Sequence, residues 1–241
     1  MTLSFAKRDQ KSLLVHVVVP ESLDTVLNQL DEVSQNWARS NGFLGNFGQA
    51  VVCPDLNGQP QCALLGLGNP KDRLRTRFCL ASAASKLPEG TYVLANDLDL
   101  ENCDYELLGW LMLGYSFGRY RQKSSTTPGL VAPDRVDVEK VEAMAKAECL
   151  CCDLINTPAS DMSPKDLENS AKELAKEFGA DFSVITGMDL LEKNFPMIHA
   201  VGRAAEMAPR LIELRHGVSG PKISLVGKGV CFDTGGLNLK P

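Results

Sequence analysis

The chain has 241 residues, of which 44% are hydrophobic and 23% charged, and its formal net charge is −5. This composition excludes global disorder, leaves room for two modest domains, and gives no reason to expect nucleic-acid binding as the main function. The apolar run Leu13–Val19 is too short to cross a membrane and no small-residue cleavage site follows it, so we expect a cytoplasmic protein without a membrane partner.

The first segment predicts alternating strands and helices. An apolar stripe from Leu23 to Trp37 predicts one amphipathic helix after Ser22, and Asn57-Gly58 is typical of a hairpin turn. The other elements predicted here are strands at Leu13–Val19, Gln49–Cys53, Gln61–Leu67 and Thr91–Ala95, and helices over about Asp72–Lys86 and Tyr105–Arg121. Together they form an α/β unit.

Residues 123–134 (KSSTTPGLVAPD) are rich in Ser, Thr, Pro and Gly, which predicts a linker. We therefore expect an N-terminal α/β domain with its linker over 1–134 and a second domain over 135–241. In the second domain Ser163 and Pro164 are typical of a helix start, and Gly179 of its end. Further elements predicted there are a long helix over about Val136–Leu154 and strands at about Phe182–Ile185, Leu211–Leu214 and Ile223–Val226.

Three of the eight cysteines lie close together, at Cys149, Cys151 and Cys152. A structural zinc site would need a second such pair or a nearby histidine pair, and the sequence has neither. Cys149 and Cys152 continue the helical apolar stripe of Val141 and Ala145, so we interpret them as small buried side chains in a reducing compartment.

A second candidate is Gly114–Gly118 (GYSFG), which matches the G-x-S-x-G pattern of a serine nucleophile. That pattern needs a strand before the serine and a helix after it, whereas the residues before Ser116 are helical in character. Asp153 and His199 would complete a triad in chain order. A serine hydrolase is therefore one hypothesis for the function of this chain. The simpler interpretation is that Ser116 packs on a helix face.

The glycine-rich segment 225–241 (LVGKGVCFDTGGLNLKP) carries one carboxylate and two lysines after an apolar strand. Strand ends in open α/β sheets are where sites form, glycine lets the backbone approach a ligand, and a carboxylate can bridge two cations. From these residues alone, a tight turn with solvated lysines is as good an interpretation as a ligand site.

GKGVCFDTGGLNLKP resembles the signature of the leucine-aminopeptidase family of two-metal exopeptidases. The stretches CDLINTPASDMSPKDL (152–167) and AVGRAAEMAPRLIEL (200–214) resemble two others typical of that family, in the same order. The first 130 residues resemble its N-terminal domain loosely, through GLGNPKD and LMLGYSFGRY. The resemblance implies an N-terminal α/β domain followed by the first part of an α/β/α metallo-exopeptidase catalytic domain.

The resemblance also implies roles for three residues. Lys228 would be a ligand of one divalent metal through its neutral amine, and Asp233 would be a carboxylate ligand shared by two. Lys240 would be the catalytic lysine, a cation that stabilises the oxyanion formed when the peptide carbonyl is attacked. Cys231 stands where the family usually has Thr or Ser, and Asn238 stands where it usually has Ser. We expect little effect from either difference.

The implied function is a metal-dependent aminopeptidase that releases N-terminal amino acids, leucine-type, from peptide substrates. Two divalent ions, manganese or zinc, and bicarbonate are the implied cofactors, and a homohexamer is the implied assembly. The family's remaining metal carboxylates follow this signature, so we expect the 241-residue chain by itself to be inactive. The alternative is a non-catalytic N-terminal module for regulation or oligomerisation.

Overall fold

The computed structural model describes residues 3–74, 76–95, 103–121 and 127–231. Contacts divide the chain into two units, residues 1–152 and 153–241, while the predicted domain division at residue 134 stays a prediction. The strands of the first unit are β1 (Leu13–Val18), β2 (Ala50–Pro54), β3 (Pro60–Gly66), β4 (Gly90–Leu94) and β5 (Pro128–Leu130). Its helices are α1 (Leu23–Leu27), α2 (Glu32–Ser40), α3 (Pro70–Arg73), α4 (Cys79–Ala84), α5 (Cys103–Met112) and most of α6 (Val138–Asn156), with a 3-10 turn at Pro20–Ser22.

The five strands form one sheet in the order β2-β3-β1-β4-β5. The central strand β1 runs parallel to β3 and β4, β4 runs parallel to β5, and β2 closes an antiparallel hairpin onto β3. Both faces of the sheet are covered, which explains why β1 reads as a continuous apolar run. Val15 and Val17 belong to a core cluster that includes residues of α4, α5 and α6, whereas Val18 packs with residues of α1 and α2.

The strands predicted for β1 to β4 are confirmed, but the single helix predicted after Ser22 is wrong. Two short helices, α1 and α2, replace it, because Asp31 accepts a hydrogen bond from the Ser34 backbone N–H (3.0 Å) and starts a new helix. A capping residue of this kind has extended backbone, φ −67° and ψ 161° at Asp31, which a continuing helix does not allow. Trp37, the last residue of the predicted apolar stripe, is 44% exposed.

Three further predictions in this unit need correction. The helix over Asp72–Lys86 is two short helices, α3 and α4, because Phe78 adopts a left-handed backbone conformation (φ 59°) between them. Helix α5 ends at Met112, well before Arg121. Strand β5 forms inside the predicted linker, because residues 128–130 pair with the open edge of β4, a partner that local composition does not reveal.

The second unit contains α7 (Pro164–Phe178), β6 (Asp181–Thr186), α8 (Asp189–Glu192), α9 (Pro196–Gly202) and β7 (Arg210–Arg215). The start and end of α7 are confirmed: Ser163 and Asp166 cap each other, and Gly179 is left-handed with φ 62°. Strands β6 and β7 pair antiparallel. The strand predicted at Ile223–Val226 is wrong, since these residues are exposed and lie on no strand ladder in the described part.

The long helix predicted over about Val136–Leu154 is confirmed as α6 (Val138–Asn156). Within the described ranges, no helix is both long and apolar enough to cross a membrane.

Candidate metal centre

Lys228 is the one predicted site residue that the structure describes. It lies in the segment that follows β7, residues 216–231, which has no regular secondary structure. Its side chain is exposed, and it forms no ion pair with the residues that the structure describes. The other two predicted site residues, Asp233 and Lys240, lie outside the described residues.

The residue after Lys228 packs closely against the first turns of α7. A Cβ added to Gly229 would lie 2.9 Å from Leu167 Cδ2, closer than real Cβ contacts. Glycine therefore allows the backbone next to Lys228 to approach α7, and a larger residue here would require the flexible Leu167 side chain to move.

Cys231 continues this packing, and its side chain is half-buried. Burial raises the pKa of the Cys231 thiol, the Asp166 carboxylate raises it further, and the Arg210 guanidinium opposes both. The segment that leads to Asp233 therefore lies within electrostatic range of the start of α7 and the start of β7.

A buried ion-pair cluster joins these two elements. The Glu168 side chain is only 7% exposed; its Oε1 accepts from Lys165 Nζ (2.5 Å) and its Oε2 from Arg210 Nη1. The Lys165 hydrogen bond, with help from Arg210, lowers the pKa of the Glu168 carboxyl against the opposing effect of burial. Removing Glu168 would leave the buried Arg210 guanidinium without this partner, so the Glu168–Arg210 pair holds α7 to the start of β7.

The apolar stripe Leu167, Ala171, Leu174 and Phe178 predicts a different buried face for α7, so this cluster is not evident from the sequence. Two residues of that stripe are exposed, Leu174 at 36% and Phe178 at 58%, whereas Glu168 and Ala175 are buried. The spacing of Lys165 and Glu168, which is typical of neighbours on a helix surface, does indicate an ion pair between these two side chains.

The described residues contain no group of three or more His, Cys, Asp or Glu side chains placed to hold a metal ion. The interpretation of the cysteine group as buried side chains is wrong in part. Val141 and Ala145 are buried, but Cys149 and Cys152 are only half-buried and Cys151 is exposed. Helix α6 is therefore less buried after Ala145 than at Val141 and Ala145.

Ser116 lacks the backbone context of a serine nucleophile. Helix α5, rather than a strand, precedes it, and residues 115–118 have no regular structure. The expectation that Ser116 lies on a helix face is also wrong, because α5 ends four residues earlier, at Met112. Its proposed partners Asp153 and His199 belong to the other unit.

Both units of the chain are α/β in composition, and the second unit carries the lysine-bearing segment. A sequence profile described as "M17 aminopeptidase, N-terminal domain" matches residues 13–133, about half of the chain. A second, described as "Cytosol aminopeptidase family, catalytic domain", matches residues 149–241. The chain belongs to the cytosol aminopeptidase family, as its resemblance to leucine aminopeptidases implied.

Relatives and solved structures agree with this assignment. A probable cytosol aminopeptidase of Rhodococcus jostii is 28% identical over 215 residues, covering 79% of this chain and 42% of the relative. The crystal structure of a Coxiella burnetii cytosol aminopeptidase superimposes with a TM-score of 0.75 at 32% identity, covering 88% of this chain and 46% of that one.

The bottromycin maturation enzyme BotP, solved in complex with Mn, has a TM-score of 0.64 at 25% identity, covering 85% of this chain and 45% of that one. The fold class predicted from the sequence is confirmed by these structures. The chain spans less than half the length of the Rhodococcus relative and of both solved proteins.

Proposed function

We propose that the full-length protein is a metal-dependent, leucine-type aminopeptidase that removes N-terminal residues from peptides. One observation carries this proposal: both family profiles match in sequence order, and the second includes the segment that bears Lys228, Asp233 and Lys240. The alternative, a non-catalytic N-terminal module, would leave that combination of lysines and carboxylate without a role.

The available donors suit two divalent ions. Lys228 offers an exposed amine without an ion-pair partner among the described residues, and Asp233 in the same glycine-rich segment offers a carboxylate. Nitrogen and oxygen donors of this kind bind manganese or zinc, and the related BotP was solved with Mn. When bound, the ions would polarise the scissile carbonyl and make water a better nucleophile.

The chain's own residues would orient and complete this centre. The close approach of Gly229 to Leu167 would position the backbone from which Lys228 projects. Asp233 would be a ligand of both ions. Lys240 would remain protonated and would stabilise the oxyanion that develops on the carbonyl. The two lysines would therefore act in opposite charge states.

Four finer proposals follow from the family. Bicarbonate would be a further ligand, the assembly would be a homohexamer, and the location would be the cytoplasm, in keeping with relatives named cytosol aminopeptidases. The 241-residue chain by itself would be inactive. Lys228 and Asp233 supply only two ligand groups, whereas a two-metal hydrolase needs several carboxylates to hold both ions.

The test is Asp233→Ala in the full-length protein, with bound metal measured after dialysis beside turnover of leucyl anilide. We expect both to be lost together, because a bridging carboxylate fixes both ions. Asn238→Ser is the matched control: it lies in the same segment, replaces the residue with the usual one of the family, and should change neither.

Full metal content in Asp233→Ala would contradict the bridging role. A wild-type full-length protein that binds metal but hydrolyses no aminoacyl substrate would favour the non-catalytic module instead.

A further inference from the structure

Two buried cysteines face each other across the hairpin of the first unit, away from the proposed metal centre. Cys53 on β2 is directly opposite Cys62 on β3, and their side chains are 0% and 5% exposed. Directly opposed residues of antiparallel strands have Cα atoms about 4.5–5.5 Å apart. That separation lies within the range of about 4.4–6.8 Å that a disulfide bridges, so the backbone already fits a bond between them.

The two thiols share one hydrogen-bond network. Cys53 Sγ donates to the Ser34 carbonyl oxygen (3.7 Å), and Cys62 Sγ donates to the Ser34 hydroxyl (3.9 Å). Each thiol has one hydrogen, so the Cys53 S–H can donate either to the Ser34 carbonyl oxygen or, once Cys62 is ionised, to the Cys62 thiolate. Ser34 itself is fully buried on α2, so this polar group lies inside the apolar cluster formed by α1, α2, β2 and β3.

The network continues to the protein surface. Ser34 Oγ donates to Asp31 Oδ2 (2.8 Å), and Asp31 is exposed at the start of α2. A thiol reacts as its thiolate, so a buried thiol needs a route by which its proton can leave. The sequence Cys62 thiol, Ser34 hydroxyl, Asp31 carboxylate is such a route.

The network also distinguishes the two sulfurs. Hydrogen bonds from Cys53 and then Ser34 lower the pKa of Cys62 against the effect of burial. The pKa of Cys53 is raised, first by its hydrogen bond with Cys62 and then by burial. Cys62 is the sulfur that loses its proton first, because its thiol is hydrogen-bonded to the Ser34 hydroxyl, which can pass a proton to Asp31, whereas the Cys53 thiol is hydrogen-bonded to a backbone carbonyl, which cannot.

We propose that Cys53 and Cys62 form a peroxide-oxidisable dithiol that closes into a cross-strand disulfide. The oxidant is hydrogen peroxide, and the pair lies on the edge strand β2 and its neighbour β3. The Cys62 thiolate attacks one peroxide oxygen, the O–O bond breaks, and the departing hydroxide takes up a proton to become water. Cys62 is then a sulfenic acid.

In the second step the Cys53 sulfur attacks the Cys62 sulfur, the S–O bond breaks, and the hydroxyl leaves as water with the proton of Cys53. Two thiols are oxidised by two electrons in total, and one peroxide is reduced to two waters. The hairpin already places the two residues opposite each other, at the last regular pair before the ladder shifts register at Pro54.

The test is peroxide treatment of the folded 241-residue chain, followed by acid quenching, alkylation of free thiols in denaturant, and tryptic digestion. Cleavage after Arg39 and Lys71 gives the peptide 40–71, whose only cysteines are Cys53 and Cys62. The disulfide appears as loss of two hydrogens from that peptide. The peptide 78–86 contains Cys79 alone, a buried cysteine whose pKa is raised by burial, and serves as the internal control.

We expect peptide 40–71 to lose two hydrogens while Cys79 stays fully alkylated, because burial raises the pKa of the Cys79 thiol and Cys79 lies on helix α4 rather than in a strand register with a second thiol. Asp31→Asn tests the proton route: asparagine caps a helix as well as aspartate does, but it is a far weaker base. Disulfide formation in this variant should be at least about fivefold slower, even though removal of the Asp31 charge by itself favours the Cys62 thiolate, and the far-UV circular dichroism should be unchanged.

Cys62→Ser should abolish the loss of two hydrogens in the same peptide. The proposal is overturned if peptide 40–71 stays reduced for as long as Cys79 does, or if its disulfide forms only in urea-unfolded protein. An unchanged rate in Asp31→Asn would overturn the route through Ser34 and Asp31.

Discussion

Trp110 should be a main determinant of the stability of the first unit. Its side chain is 1% exposed, and its Nε1 donates a hydrogen bond to the carbonyl oxygen of Pro128 (2.8 Å). Its ring also lies against Tyr92, with centroids 6.3 Å apart. Through these contacts α5 holds the three-residue edge strand β5 against the sheet.

The substitution Trp110→Phe isolates the hydrogen bond and the larger ring. Leaving the buried Pro128 carbonyl without this donor costs about 1–3 kcal/mol. The smaller ring leaves a cavity that costs roughly 1 kcal/mol more, while the contact with Tyr92 is largely kept. We therefore expect a loss of about 2–4 kcal/mol in the free energy of unfolding.

The measurement is urea unfolding of the 241-residue chain, monitored through tryptophan fluorescence. The chain has two tryptophans, both in the first unit, so each single variant keeps one reporter there. Trp37→Phe is the matched control, because Trp37 is 44% exposed and its replacement should change stability by less than about 0.5 kcal/mol. Equal effects from the two variants would refute the role given to the Pro128 hydrogen bond.

Three further predictions test other parts of the chain. Gly109→Ala should lower the free energy of unfolding by about 1–3 kcal/mol, although alanine is the better helix former, because its Cβ would lie 2.4 Å from Phe78 Cβ; a gain in urea resistance would contradict this packing. The lowered pKa of Glu168 means that its stabilising effect is present above the ordinary glutamate pKa of 4.5 and is lost as the pH falls through the lower folded value. Glu168→Gln should therefore destabilise the chain more at neutral pH than at about pH 3, and a difference that grows on acidification would show the wrong sign. Ser116→Ala should leave leucyl anilide turnover of the full-length protein within about threefold, whereas a thousandfold loss with the fold intact would revive the serine hydrolase.

Local sequence was enough to predict the elements whose hydrogen bonds are satisfied within or beside themselves. The limits of α7 follow from Ser163, Pro164 and Gly179, because a capping side chain and a left-handed glycine act within one turn. The β2–β3 hairpin follows from Asn57-Gly58 between two apolar runs, and Gly58 adopts the expected positive φ of 78°. The family was likewise readable from the motif around Lys228 and Asp233.

The remaining features depend on which distant residue meets which, and only the tertiary structure decided them. Residues 128–130 look like linker until β4 offers an open edge, and the apolar residues 223–226 form no strand because none of the described strands pairs with them. Glu168 is buried because Arg210, distant in sequence, compensates its charge. Cys53 and Cys62 become a pair because the hairpin register sets them opposite each other. Periodicity records which face of an element is apolar, but the free energy of a buried charge or a strand edge depends on the partner that folding brings to it.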